Sequence, residues 1–140
     1  FSTYDVVRVG VLISGRLEGN VDSIVDGIKK GAALAERDGV FPSNTTVEVH
    51  WIDGNRDAAT AMAATQALLA SVPDLVGIVG GYFSSTTIPI AFNISTPLHL
   101  PMISYGASSS VLGDKEALPY FVRTCVSNIN QATSTYRTTQ

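Results

Sequence analysis

The chain has 140 residues, with nine Lys or Arg against twelve Asp or Glu and a formal net charge of −3. Hydrophobic residues make up 45% and charged residues 15%, which excludes a disordered chain and suits one domain with a sizeable core. Lys29-Lys30 is the only adjacent basic pair, and no apolar run approaches the roughly 20 residues that span a bilayer, so neither nucleic acid nor a membrane is the expected partner.

The chain starts at Phe1 rather than Met and reads as a mature or trimmed product whose targeting segment is gone. Val6 to Ile13 is nearly continuous and β-branched, as in a strand covered on both faces. Ser14 to Asn20 is a loop, and Asn20 or Asp22 can cap the helix that follows. Ile24, Val25, Ile28, Ala32 and Ala35 give that helix an apolar stripe to about Asp38, and Gly39 is its expected left-handed stop. Asn44-Thr45-Thr46, in a turn-rich segment after Pro42, is an N-glycosylation sequon.

Val47 to Asp53 alternates and predicts a second strand, and Asp57 a cap for an Ala- and Leu-rich helix from about Ala58 to Ala70. Leu75 to Val79 is a short, wholly apolar third strand. Ser84 or Ser85 opens a third helix reaching about Asn93, with Pro89 near its first turn and a second sequon at Asn93-Ile94-Ser95. Met102 to Tyr105 and Tyr120 to Thr124 are the fourth and fifth strands. The polar tail from Asn130 to Gln140 is either the start of a helix or a frayed end. Strands alternating with helices imply right-handed crossovers and an α/β fold with a doubly wound parallel sheet, as a single domain over residues 1–140.

Two strand ends carry the chemistry. Gly80-Gly81-Tyr82-Phe83-Ser84-Ser85-Thr86 and Tyr105-Gly106-Ala107-Ser108-Ser109-Ser110 are small, hydroxyl-rich turns at the carboxyl ends of strands, where open α/β sheets bind ligands. Glycines allow close backbone approach, Ser84, Ser85 and Thr86 add hydroxyls, and the helix behind them offers free N–H groups to a carboxylate or other small anion. Gly77, Gly80 and Gly81 do not make a dinucleotide fingerprint, and no Lys follows where a P-loop needs one.

No catalytic group stands out. Ser104 lacks the first glycine of a nucleophile elbow, and His50 and His99 read as structural. Cys125 reads as a small buried hydrophobe on a strand, and no His or Cys pair has metal-ligand spacing, so no metal or cofactor is expected. Asp53 ends a strand, as the phosphorylated Asp does in some signalling domains of this architecture, but its loop lacks the acids that hold Mg²⁺. The residues read as a site for binding rather than catalysis. An enzyme of flavodoxin-like architecture remains as an alternative that an acid cluster around Asp53 would favour.

From about Val7 to Gln131 the chain resembles the type I periplasmic-binding-protein fold, in the branch that forms receptor ligand-binding domains. That branch includes class C G-protein-coupled receptors, natriuretic-peptide receptor cyclases and branched-chain amino-acid-binding proteins. The likeness is strongest in Leu100 to Ser109, in Asp114-Lys115 through Pro119 to Thr124, in Gly27 to Ala32 followed by Glu36, and in Ser127-Asn128 followed by Gln131. It implies the N-terminal part of lobe one of a two-lobed, hinge-closing domain, a flavodoxin-like half that works with a second lobe outside this chain. In amino-acid-binding members the serine matching Ser85 holds the ligand carboxylate. Backbone near Gly106 and Ala107, with a hydroxyl matching Ser108, holds carboxylate and amine; Gly81 and Ser84 belong to the same turn. The resemblance further implies an extracellular or periplasmic location, a small polar ligand, and homo- or hetero-oligomers through lobe-one helices. The chain departs from the family pattern in having Tyr82 and Phe83 where proline and a small residue often follow the glycine. That departure supports an alternative reading, a structural or assembly domain that keeps the fold without the ligand.

Overall fold

The computed structural model describes residues 6–14, 21–42 and 44–138. Five parallel strands make one sheet in the order β2-β1-β3-β4-β5, with β1 Val6–Ile13, β2 Thr46–Asp53, β3 Leu75–Val79, β4 Met102–Ser104 and β5 Phe121–Arg123. The unbroken apolar run of β1 suits its place inside the sheet. It pairs with β2 from Val6↔Thr46 to Ile13↔Asp53, and with β3 through Gly10↔Ile78 and Val11↔Val79. Arg8 ties the beginning of the sheet together, pairing with Glu48 on β2 and with Asp74 just before β3.

The chain steps from β1 outward to β2, then crosses back over β1 to build β3, β4 and β5 on the other side. That reversal puts a topological switch point between β1 and β3. Right-handed crossovers then place helices on opposite faces. Helix α1 (Val21–Arg37) buries Val25 against Val11 and Ile13, flanked by Val21, Ile24, Ile28, Val49 and Val79. Helices α2 (Ala58–Ser71) and α3 (Ser84–Ile90) cover the other face, where Ala61, Ile90 and Ala91 meet Leu12, Ile78, Met102 and Phe121. Each large apolar side chain buried there contributes about 1.5–3 kcal/mol.

Punctuation residues act as expected. Gly39 has φ +73, and Val40 N–H reaches back to the Ala35 carbonyl at 2.9 Å, closing α1. Asn20, a candidate cap, lies outside the described residues; α1 is described from Val21. The Asp57 carboxylate accepts the Thr60 backbone N–H at 2.7 Å and the Thr60 hydroxyl at 2.8 Å, which hold it below the usual carboxylate range. A carboxylate with a depressed folded-state pKa adds stability above its unfolded value, near pH 4, and loses it as the pH falls through the folded value. Asp57→Ala is therefore expected to lower the melting temperature at neutral pH and to narrow its gap from wild type as the pH drops below about 4. Thermal melts across an acid series measure that gap.

Pro89 lies six residues into α3, where it removes one intrahelical donor, and the helix continues as a π-helical segment over Ala91–Ser95. The tail forms α4 (Asn128–Thr138), in which every residue is exposed. Its apolar residues Ile129, Ala132 and Tyr136 fall on one stripe without a core to enter. On the α1 side of the sheet Val79, Ile103 and Val122 line an open apolar groove of about 360 Å³, with Val122 51% exposed. Parallel strands are ordinarily covered on both faces. The short β4 and β5 are covered only on the α2–α3 side by the described residues. Cys125 lies just past β5 and is half-buried, a correction to the expectation of a buried strand position: the strand ends at Arg123.

Candidate functional site

The turn after β3 is built around backbone that only glycine fits. Gly80 has φ +122, and a Cβ there would stand 2.2 Å from the Leu12 carbonyl oxygen of the interior strand β1. Its N–H donates to the Ile103 carbonyl at 2.8 Å, tying β3 to β4 at their carboxyl ends. The hydroxyl-rich start of α3 then differs from the sequence expectation. Thr86 and Thr87 turn both backbone N–H groups and both hydroxyls back onto the Phe83 carbonyl, at 2.8–3.2 Å. These donors stabilise the turn and are not open to a ligand, and Thr86 is buried.

Ser104, at the end of β4, joins this turn to the next. Its buried hydroxyl donates to the Gly81 carbonyl at 2.7 Å and accepts the Ala107 N–H at 3.0 Å and the Gly106 N–H at 3.3 Å. The Ser84 hydroxyl makes a second tie, accepting the Ser109 N–H at 3.1 Å. Arg123 on β5 makes a third, donating to the Ala107 carbonyl at 3.3 Å and the Ser109 carbonyl at 2.7 Å. The two turns are thus one hydrogen-bonded unit across the ends of β3, β4 and β5. Sequence reasoning missed Ser104 and Arg123 because each acts on backbone distant in the chain. The only local signal was a serine and an arginine at strand ends otherwise made of apolar residues.

Within this unit the candidate residues divide. Gly81 is buried, and its carbonyl accepts from Ser104 and lies 3.2 Å from the Thr87 hydroxyl, whose single proton has the nearer Phe83 carbonyl at 2.8 Å. Ser84 is committed to Ser109, so its role is to join the turns. Ala107 is fully buried, and Gly106 is half-buried. Ser85 is exposed, and Pro89, four residues on, cannot donate to the Ser85 carbonyl. Ser108 is half-buried; its carbonyl accepts the Asn128 N–H at 2.9 Å where α4 begins. Of the candidate hydroxyl residues, Ser85 is exposed and Ser108 half-buried, whereas the Ser84 hydroxyl is taken by the Ser109 N–H.

An aromatic rim stands over this unit. A Cβ on Gly106 would lie 2.4 Å from the Tyr82 ring, so the ring rests directly on the second turn. Tyr82 is 44% exposed and meets Phe83 edge-on at 5.0 Å and Tyr105 at 6.2 Å. The Arg56 guanidinium, from the loop after β2, stacks over Phe83 at 4.6 Å. The rim thus combines flat apolar surface with one cation.

The remaining candidates stay apart from this unit. The Asp53 carboxylate accepts the Asn55 N–H at 2.8 Å, and no group of three or more His, Cys, Asp or Glu among the described residues is arranged to hold a metal ion. His50 lies on β2, 3.4 Å from the Glu48 carboxylate, and His99 stacks on Tyr120 at 5.0 Å with φ +52. A larger groove of about 660 Å³ runs along β2 and α2 past His50, Trp51, Ala67 and Ser71. It has no convergent set of donors comparable to the paired turns, so volume alone does not make it the better site.

Comparison with known proteins agrees with this architecture. The chain is 29% identical over 135 residues to glutamate receptor 3.1 of Oryza sativa subsp. japonica, covering 93% of this chain and 13% of that protein. Its fold matches an ABC transporter substrate-binding protein from Desulfitobacterium hafniense with a TM-score of 0.69 at 18% identity, over 87% of this chain and 34% of that one. A structure described as an ABC transporter substrate-binding protein from the same organism in complex with Leu matches with a TM-score of 0.71 at 19% identity, over 87% and 35% of the two chains. The chain therefore spans about an eighth of the rice receptor's length and about a third of each solved structure. Residues 34–139 match the model of the receptor family ligand binding region, and the chain belongs to that family.

Proposed function

We propose that the chain is a non-catalytic sensing module, the N-terminal part of lobe one of a two-lobed domain, that binds a small polar or anionic ligand such as an amino acid. The observation that carries this reading is the joining of two turns at the carboxyl ends of β3 and β4, which puts Ser85 and Ser108 on one hydrogen-bonded unit, with Arg56 stacked on Phe83 of the first turn. Family membership supports ligand binding, and the Leu complex of a protein of like fold supports an amino acid as the first probe. The open groove over Val79, Ile103 and Val122 and the uncovered stripe of α4 support further chain, a second lobe included, completing the domain. Lobe-one helices would then form homo- or hetero-oligomer contacts, and receptor and substrate-binding relatives support an extracellular or periplasmic setting.

Titration of the chain with L-leucine and a panel of other amino acids tests the reading. Saturable binding is expected, with Ser85→Ala and Ser108→Ala each weakening it by about tenfold or more, the usual cost of removing a hydrogen bond to a charged group. Ser85→Ala should shift stability by less than about 0.5 kcal/mol, because the side chain is exposed. Affinity unchanged in both variants would overturn the assignment. The Tyr82 ring resting on Gly106 favours a second reading, a domain that keeps the fold and has lost the ligand. On that reading no amino acid binds the wild type or Tyr82→Ala.

A further inference from the structure

The two sequons lie in opposite structural settings, and the ligand reading uses neither. Asn44 is exposed in the turn between α1 and β2, the Thr45 N–H closes onto the Pro42 carbonyl at 2.9 Å, and Thr46 opens β2 with an exposed side chain. This sequon runs from a turn into an extended strand start, with Asn44 and Thr46 both exposed and so within reach of an oligosaccharyl transferase. Asn93 lies inside the π-helical segment Ala91–Ser95, and its Nδ2 donates to the Pro89 carbonyl at 2.8 Å. Its partner Ser95 is fully buried, with the hydroxyl donating to the Leu100 carbonyl at 2.7 Å. The second sequon therefore has its amide engaged with the helix and its hydroxyl inside the core.

We propose that Asn44 is the N-glycan acceptor of this chain and that Asn93 is not. In the transfer step Asn44 Nδ2 attacks the anomeric carbon of a lipid-diphosphate-linked oligosaccharide. The new N–C bond forms as the C–O bond to the diphosphate breaks; the lipid diphosphate leaves with the electron pair, and a base of the transferase takes the proton lost from Nδ2. The position suits a bulky polar group. Thr46 and Asp53 are seven residues apart on β2, about 23 Å at the usual strand rise, so the glycan stands at the opposite end of the sheet from the paired turns. It also stands at the start of an edge strand that pairs only with β1 among the described residues, where bulk discourages strand-to-strand association. Use of the site in the native setting rests on the extracellular reading, whereas the test supplies its own secretory compartment. Its failure therefore leaves the ligand assignment standing.

The experiment is secretion of the chain from a eukaryotic host, with intact mass before and after peptide-N-glycosidase and peptide mapping of both sequons. One glycan is expected, at Asn44. Asn44→Gln and Thr46→Ala should each remove it, and Asn93→Gln should retain it. If a variant is not secreted, the endoglycosidase-sensitive mobility of the intracellular chain gives the same reading. A glycan at Asn93, at both sites or at neither would overturn the proposal.

Discussion

Gly80→Ala is expected to be the most damaging glycine-to-alanine change among the described residues, costing at least about 3 kcal/mol against a total stability of about 5–15 kcal/mol for a domain of this kind. Two costs coincide. At φ +122 an L side chain is strained by about 1–3 kcal/mol. The new methyl would also stand 2.2 Å from the Leu12 carbonyl oxygen, which is backbone of β1, a strand paired on both sides. Gly27→Ala is the matching control. Gly27 is in α1 with nothing within 4 Å of an added Cβ, so this change should stabilise by about 0.5–1 kcal/mol. Urea denaturation of the pair separates the readings: equal midpoints would mean that the Gly80 backbone is not held as described.

Ser104→Ala is expected to cost about 2–4 kcal/mol and to remove ligand binding together with stability. The Ala107 N–H, in a residue with no exposure, loses its acceptor, and an orphaned buried donor costs about 1–3 kcal/mol by itself. The Thr87 hydroxyl, 3.2 Å from the Gly81 carbonyl, can turn to it from Phe83, which limits the damage on the first turn. The Gly106 N–H loses its bond as well. Chemical denaturation measures the stability change, and amide exchange at Gly106 and Ala107 shows whether the second turn has loosened. A stability change under about 0.5 kcal/mol would mean that the turns are held together by other contacts.

How far these features were legible in the sequence depended on the range of the interactions. Elements set by their own periodicity were readable: the β-branched run of β1, the stripe of α1, Gly39 as a left-handed stop and Asp57 as a cap all depend on neighbours within four residues. The family resemblance was legible too, because it resides in contiguous motifs, and the matched family model agrees with it. Within the turns the sequence showed which residues were polar but not where each hydroxyl points. Ser84 finds Ser109 across 25 positions and Ser104 finds Gly81 across 23, distances at which no local pattern exists. Thr86 looked available and is buried, because the Phe83 carbonyl, 2.9 Å away, captures its hydroxyl first. The open face over Ile103 and Val122 was also invisible, since an apolar strand residue reads as core whether or not anything covers it.

The most direct test of the account is a ¹H–¹⁵N chemical-shift titration of the chain with millimolar L-leucine, followed by the same titration of Ser85→Ala and Ser108→Ala. The account predicts saturable shifts centred on Gly81, Ser84, Ser85, Gly106, Ala107 and Ser108, weakened in both variants. No shifts at any amino acid tried, or shifts confined to the groove beside His50, Trp51 and Ala67, would contradict it.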